Sequence, residues 1–260
     1  MLQRCATCGR ESHHQDAESL LRAHDLPVDA MSPNASRADV AMYGGLSEKS
    51  LSAAPHAKSV AVKFFGSCTA DGCPLATPAG SYMVTMPDLA ERVTCDRLLL
   101  VENLETFRRL EDYGWIDLQG LSVMAVCRGD PSLAVGDALR VIRSRAEPIW
   151  AFVDFDPAGL VIANSLPHER LERVVLPPSH WLEQAADSAR GRQLFADQVG
   201  RCSQTLDQSH PHVQMWWRKM RAWKSAVTQE RMHQVALPTM AQQGRFLNSG
   251  TFVTRAPEEQ

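Results

Sequence analysis

The sequence predicts an α/β fold: a mostly parallel four-stranded sheet flanked by helices, with a small N-terminal α+β region and a helical C-terminal extension. Three observations predict it. Two short apolar runs, LeuLeuLeuVal (98–101) and IleTrpAlaPheVal (149–153), end abruptly in carboxylates. Strands buried on both faces of a parallel sheet have this length and this near-continuous apolar character. Strand-like and helix-like segments then alternate from about residue 96 to about residue 180, as βαβ units do. Beyond residue 180 the chain reads as helix to about 236 and closes on a polar tail. The expected regions are therefore 1–95, 96–180 and 181–260.

The elements follow in chain order. A short helix is expected from about Asp16 to His24, with Leu20 and Leu21 on its apolar side. Residues 32–58 are rich in Ser, Ala, Pro and Gly, with weak periodicity. SerValAlaValLysPhePhe (59–65) and SerTyrMetValThrMetPro (81–87) read as two strands around a Gly/Pro/Cys loop. A hairpin is the natural arrangement, and the wing of a winged-helix-like unit is one form it could take. Strand 98–101 leads to a helix from Leu104, and strand 122–127 to a helix carrying Ala138, Leu139 and Ile142. Strand 149–153 leads to a helical stretch, Leu160 to Ser165, with Pro157 suited to its first turn. A fourth strand, 173–176, stops at a Pro-Pro pair.

Composition excludes little. Charged residues make up 22% and the net charge is −3, so the chain as a whole does not advertise nucleic-acid binding. Only five of the 27 basic residues are lysine; arginine suits bidentate phosphate contacts, but a GC-rich genome gives the same bias. No apolar stretch reaches the ~20 residues needed to cross a bilayer. The N-terminus has no apolar signal-like core, so no membrane and a cytoplasmic location are expected. Seven cysteines, an odd count, argue against a disulfide framework. Cys127 lies in a strand-like run and reads as a buried thiol.

The chemistry is carried by acids. Residues just past the ends of parallel strands sit at the mouth where α/β folds bind ligands. Glu102, Asp154 and Asp156 are all so placed. Carboxylates brought together repel one another unless a cation intervenes, and hard ions such as Mg²⁺ prefer oxygen ligands. Three blocks occur in order: ValGluAsnLeuGluThrPhe (101–107), CysArgGlyAspPro (127–131) and AspPheAspProAlaGly (154–159). Together they resemble the Toprim domain, in particular that of the topoisomerase VI A subunit and of the nuclease subunit of Wadjet-type anti-plasmid systems. The resemblance covers 96–180 and extends to ThrGlnGluArgMet (228–232), similar to a C-terminal Gln-Glu feature of such nucleases. It does not cover 1–90.

That resemblance implies a Toprim-like sheet and Mg²⁺-dependent DNA cleavage, within a defence complex of several subunits. It implies Glu102 as general base or metal ligand, and Asp154 and Asp156 as Mg²⁺ ligands, one or two ions being held. Carboxylate-held Mg²⁺ can both stabilise charge on a phosphoryl group and activate a nucleophile. Gly159 would let the backbone pass close to substrate or start the next helix without a side-chain clash, and Asn103 could orient Glu102 but reads first as a helix cap. Arg128, on the same rim, could hold a phosphate. A topoisomerase-like variant would need an upstream tyrosine, for which only Tyr43 and Tyr82 are available; hydrolysis is the better expectation.

Residues 212–235 read as one basic aromatic helix. Trp216, Met220, Trp223 and Val227 form its core-facing stripe. Arg218, Lys219, Arg221 and Lys224 leave a positive surface that could track DNA, although a solvated face is commoner. Glu230 could join the acids if this segment packs near the strand ends. Cys5 and Cys8 have zinc-knuckle spacing, and with Cys68 and Cys73 could complete a Zn²⁺ site; unliganded thiols are the favoured reading. Two other functions compete with cleavage. One is a non-catalytic DNA-binding or assembly subunit with a vestigial site. The other is a phosphatase of the haloacid dehalogenase class with Asp154 as nucleophile. Against the latter stand Ala158, where that class has Thr or Val, and the mid-chain position of the motif.

Overall fold

The structure is a computed structural model, and it describes residues 19, 20, 22, 23, 58–118, 120–129 and 135–235. The chain divides into two compact units, Met1–Lys58 and Ser59–Gln260. In the first, the described residues Ser19, Leu20, Arg22 and Ala23 are helical, within the helix expected there; Tyr43, Cys5 and Cys8 lie outside the described residues.

The second unit is α/β, built on a six-stranded mixed sheet. Its strands are β1 (Val60–Phe65), β4 (Met83–Thr85), β6 (Arg97–Val101), β7 (Val123–Cys127), β8 (Ile149–Phe152) and β9 (Leu171–Val175), in the order β4-β1-β7-β6-β8-β9. Four neighbours, β7, β6, β8 and β9, run parallel. β1 is antiparallel to both β7 and β4. The expected four-stranded sheet is thus corrected: β1 and β4 do form the expected hairpin, with Val60 opposite Thr85, but extend the parallel core rather than making a separate wing. The boundary expected at 95/96 falls inside this sheet. A small antiparallel sheet of β2 (Thr69–Ala70), β3 (Cys73–Pro74) and β5 (Val93–Thr94) sits in the connection.

The central strands form because their residues have nowhere else to go. Leu98–Val101, Val123–Cys127 and Ile149–Phe152 are all buried, on both faces, which requires helices on both sides. Helices α1 (Pro87–Glu91), α2 (Leu104–Arg108), α3 (Val135–Ser144) and α4 (Pro157–Asn164) alternate with the strands. Lys63 is buried in β1, where apolar alternation would place an aliphatic residue. Its ammonium donates to Glu111 at 2.6 Å and to the Arg108 carbonyl at 3.0 Å, so the charge is paired rather than stranded.

The C-terminal part contains α5 (Ser179–Ala186), α6 (Ala189–Asp207), α7 (Pro211–Trp223) and α8 (Gln229–Met232). The helix expected across 212–235 is broken. Lys224 takes the left-handed conformation, φ 51° and ψ 41°, as the C-cap of α7. Val227 therefore leaves the helical stripe. It pairs instead with Phe155, each backbone N–H donating to the other's carbonyl, at 2.9 and 2.8 Å. Phe155 packs against Trp216 and Trp223, so the aromatic stripe of α7 is core. Among the described residues no helix is long and apolar enough to cross a membrane.

Candidate active site

The chain leaves β6 to one side for β7, then crosses back over β6 to enter β8. The carboxyl ends of β6 and β8 therefore flank a point where the strand order reverses, which is where open α/β sheets hold their ligands. Glu102 directly follows β6, and its backbone N–H continues the parallel ladder to the Phe152 carbonyl at 3.1 Å. Asp154 stands two residues past β8. The Glu102 carboxylate accepts from the Asp154 backbone N–H at 3.0 Å, which locks the two strand ends together.

The Val227–Phe155 bridge carries the following residues onto the same rim. The Gln229 backbone N–H donates to Asp154 Oδ1 at 2.7 Å. The Gln229 side-chain oxygen accepts from the Asn103 N–H at 3.0 Å, and Asn103 Nδ2 donates to Glu230 Oε1 at 2.8 Å. Asn103 Oδ1 meanwhile caps α2 through the Thr106 N–H at 3.0 Å, the role expected of it. Gln229 is fully buried, and its Nε2 has no hydrogen-bond partner among the described residues. The clasp from 227 to 230 was only half visible in the sequence. The sequence displays GlnGlu at 229–230 but carries no local signal for the Lys224 turn that delivers it.

Asp156 does different work from Asp154. It is the N-cap of α4, with Oδ1 accepting from the Gly159 N–H at 2.6 Å and Oδ2 from Gln198 Nε2 at 2.8 Å. Gln198 Oε1 in turn accepts from the Ala158 N–H at 2.8 Å, which ties α6 to the first turn of α4. Both oxygens of this buried carboxylate thus have protein partners. Gly159 explains the close fit: a Cβ there would stand 2.3 Å from the Asp154 carbonyl oxygen, closer than any side chain permits.

The electrostatics of the rim are dominated by burial and by like charge. Burial, and then the Glu102 charge, push Asp154 from an ordinary 3.8 up to about 8, against the pull of the Gln229 amide. Glu102 is raised as well, first by burial and then by Asp156 and Glu230, while the Asp154 amide and Arg128 act the other way. Arg128 is thus close enough to act on the acidic rim. Among the described residues no three Asp, Glu, His or Cys side chains close on one point as a finished metal cage. Mg²⁺ does not require one, since it keeps several waters and is held by one or two carboxylates with substrate oxygens completing the shell. Glu102 and Asp154 fit that demand.

The remaining expected site residues fall elsewhere. Arg218 donates to Gln214 at 2.9 Å, Lys219 to Ser179 at 2.9 Å, and Arg221 pairs with Asp207 at 3.0 Å; Lys224 is exposed at the cap of α7. Cys68 is buried and donates to the Phe65 carbonyl at 3.4 Å, and burial pushes its thiol up to about 11. Cys73 is exposed, and Cys127 is buried as expected. Tyr82 packs on Phe107, with ring centroids 5.8 Å apart.

No curated protein matches the chain. A family model does, over residues 57–239, the stretch that holds the sheet, the acidic crevice and the Gln229 clasp. The chain belongs to the family described as domain of unknown function DUF7281.

Proposed function

We propose that this protein is a divalent-cation-dependent nuclease of Toprim type that hydrolyses DNA phosphodiesters at the crevice between β6 and β8. The observation that carries the reading is the convergence of Glu102 and Asp154, from strand ends 52 residues apart, on one hydrogen-bonded rim where burial holds both carboxyls above their ordinary range. Mg²⁺ bound there would neutralise developing phosphoryl charge and lower the pKa of a coordinated water. Glu102 and Asp154 are the residues to hold it. Glu102 is also the carboxylate we assign to take the proton of the attacking water. Asp156 supports the site from behind through α4, and Gln229 fixes the Asp154 carboxylate by its amide. Service in defence against foreign DNA, with further subunits, remains part of the proposal on the Wadjet-type resemblance of 101–107, 127–131 and 154–159.

The test is cleavage of supercoiled plasmid by purified protein, with Mg²⁺ and with chelator, for wild type beside Glu102→Gln. Metal-dependent nicking that falls by at least ~100-fold in the variant is the expected result. Cleavage indifferent to Glu102 or to Mg²⁺ contradicts the reading. A wild type that binds DNA without cutting it, equally well with or without Glu102, favours a non-catalytic subunit instead.

A further inference from the structure

A recess of about 370 Å³ opens beside Asp154. Asp154 and Glu230 line it, and so do Arg231, next to Glu230 on α8, and Arg190 from α6. Gly191 permits this approach: a Cβ there would stand 2.5 Å from the Ala226 carbonyl oxygen, so α6 lies directly against the segment that leads to Gln229. Its Gly191 carbonyl accepts from the Ala226 N–H at 3.1 Å.

The charges in this recess do not cancel. Arg190 is exposed, and among the described residues its guanidinium has no hydrogen-bond or ion-pair partner. Arg231 spends Nη1 on the Ala185 carbonyl at 2.9 Å and on Ser188 Oγ at 3.4 Å. Neither arginine makes an ion pair with Asp154 or Glu230, although all four line one small space. A surface that keeps both signs apart at close range suits a ligand that carries negative oxygens and also brings a cation. A phosphodiester with its metal ion is such a ligand. One non-bridging oxygen can face the carboxylate-held cation while another meets a guanidinium, whose fork matches phosphate. Arg190 also lies in the first turn of the 19-residue helix α6, where the backbone adds positive potential. The volume is at the small end of ligand sites, which run from about 300 to 1,000 Å³. It suits a short stretch of one strand rather than a duplex.

We propose that Arg190 and Arg231 form a phosphate subsite that seats the backbone of a single DNA strand beside Asp154. This deepens the nuclease reading and rests on it. It also moves the expected DNA contact away from α7, whose Arg218, Lys219 and Arg221, with Lys224 at the cap, are absent from the lining of this recess.

The test is binding of a fluorescent single-stranded oligonucleotide by anisotropy, across a salt series, with Ca²⁺ in place of Mg²⁺. Wild type is compared with Arg190→Gln, with Arg190→Gln combined with Arg231→Gln, and with Arg218→Gln on α7. The first should weaken binding about tenfold and lower the salt slope by about one. The double variant should lose more, and R218Q should bind as wild type does. The rise in melting temperature on adding Mg²⁺ should be the same in R190Q as in wild type, which separates loss of the subsite from loss of the metal site. Binding that survives R190Q but fails in R218Q overturns this subsite and leaves the nuclease reading standing. A lost Mg²⁺ response in R190Q overturns the subsite too. A wild type with no affinity for DNA overturns both readings.

Discussion

Replacing Asp154 by Asn should make the metal-free protein more stable, although it removes the residue with the most specific position in the site. The change keeps an oxygen at Oδ1 for the Gln229 amide, now 2.7 Å away, and deletes only the charge. In the folded chain that charge is opposed by burial and by Glu102, which move the group from 3.8 to about 8. A raised acid binds its proton more tightly in the folded than in the unfolded state. Stability must then fall as pH rises from about 4 to about 8, and level off above. Each tenfold in the ionisation constant is worth about 1.4 kcal/mol, which sets a ceiling of about 6 kcal/mol above pH 8. Glu102 takes up part of the proton when Asp154 does not, so a gain on the order of 2–4 kcal/mol at pH 8 is the working figure. Urea denaturation of wild type and D154N at pH 5 and pH 8, in chelator, measures it. The gap between the two proteins should widen with pH, and Mg²⁺ should narrow it by stabilising wild type alone. A D154N protein equally stable or less stable at pH 8 would refute the claim that this carboxylate sits in an unfavourable field.

Three further outcomes follow from the same geometry. Asp156→Ala removes the α4 cap and leaves Gln198 Nε2 without its acceptor, so the melting transition should shift down by the equivalent of about 1–3 kcal/mol, with activity lost alongside stability. Gly159→Ala forces a methyl against the Asp154 carbonyl and should cost about 1–3 kcal/mol by denaturant titration while lowering cleavage beyond what instability explains. Gln229→Ala strands the Asn103 N–H but keeps the backbone amide on Asp154; a loss of about 1–3 kcal/mol is expected, and an unchanged midpoint would argue that the clasp does not hold.

The parallel core was legible because strands buried on both faces must be apolar throughout, and 98–101, 123–127 and 149–152 could be little else. Glu102 and Asp154 were legible for the same reason: a carboxylate directly after such a run has to lie at the strand's open end. What lay beyond local pattern was pairing. Nothing in ValAlaValLysPhePhe says that β1 joins β7 antiparallel, and buried Lys63 is accounted for only by distant Glu111. Asp156 is ambiguous from sequence, because Asp-Pro serves a helix cap as readily as a metal site, and the Gly159 and Gln198 contacts that show the cap lie beyond local pattern. The break at Lys224 has no glycine to announce it, so the segment carrying Val227 and Gln229 to the rim read as more helix. Arg190 was invisible, since an exposed arginine early in a helix becomes notable only when the fold sets it beside Asp154.

The central claim is that the crevice between β6 and β8 holds a hard divalent cation through Glu102 and Asp154. Calorimetric titration of Mg²⁺ into wild type, Glu102→Gln and Asp154→Asn, without DNA, measures this most directly. Saturable binding in wild type, weakened at least about tenfold in either variant, is predicted from the small number of carboxylates Mg²⁺ uses. Identical isotherms for all three proteins would contradict it.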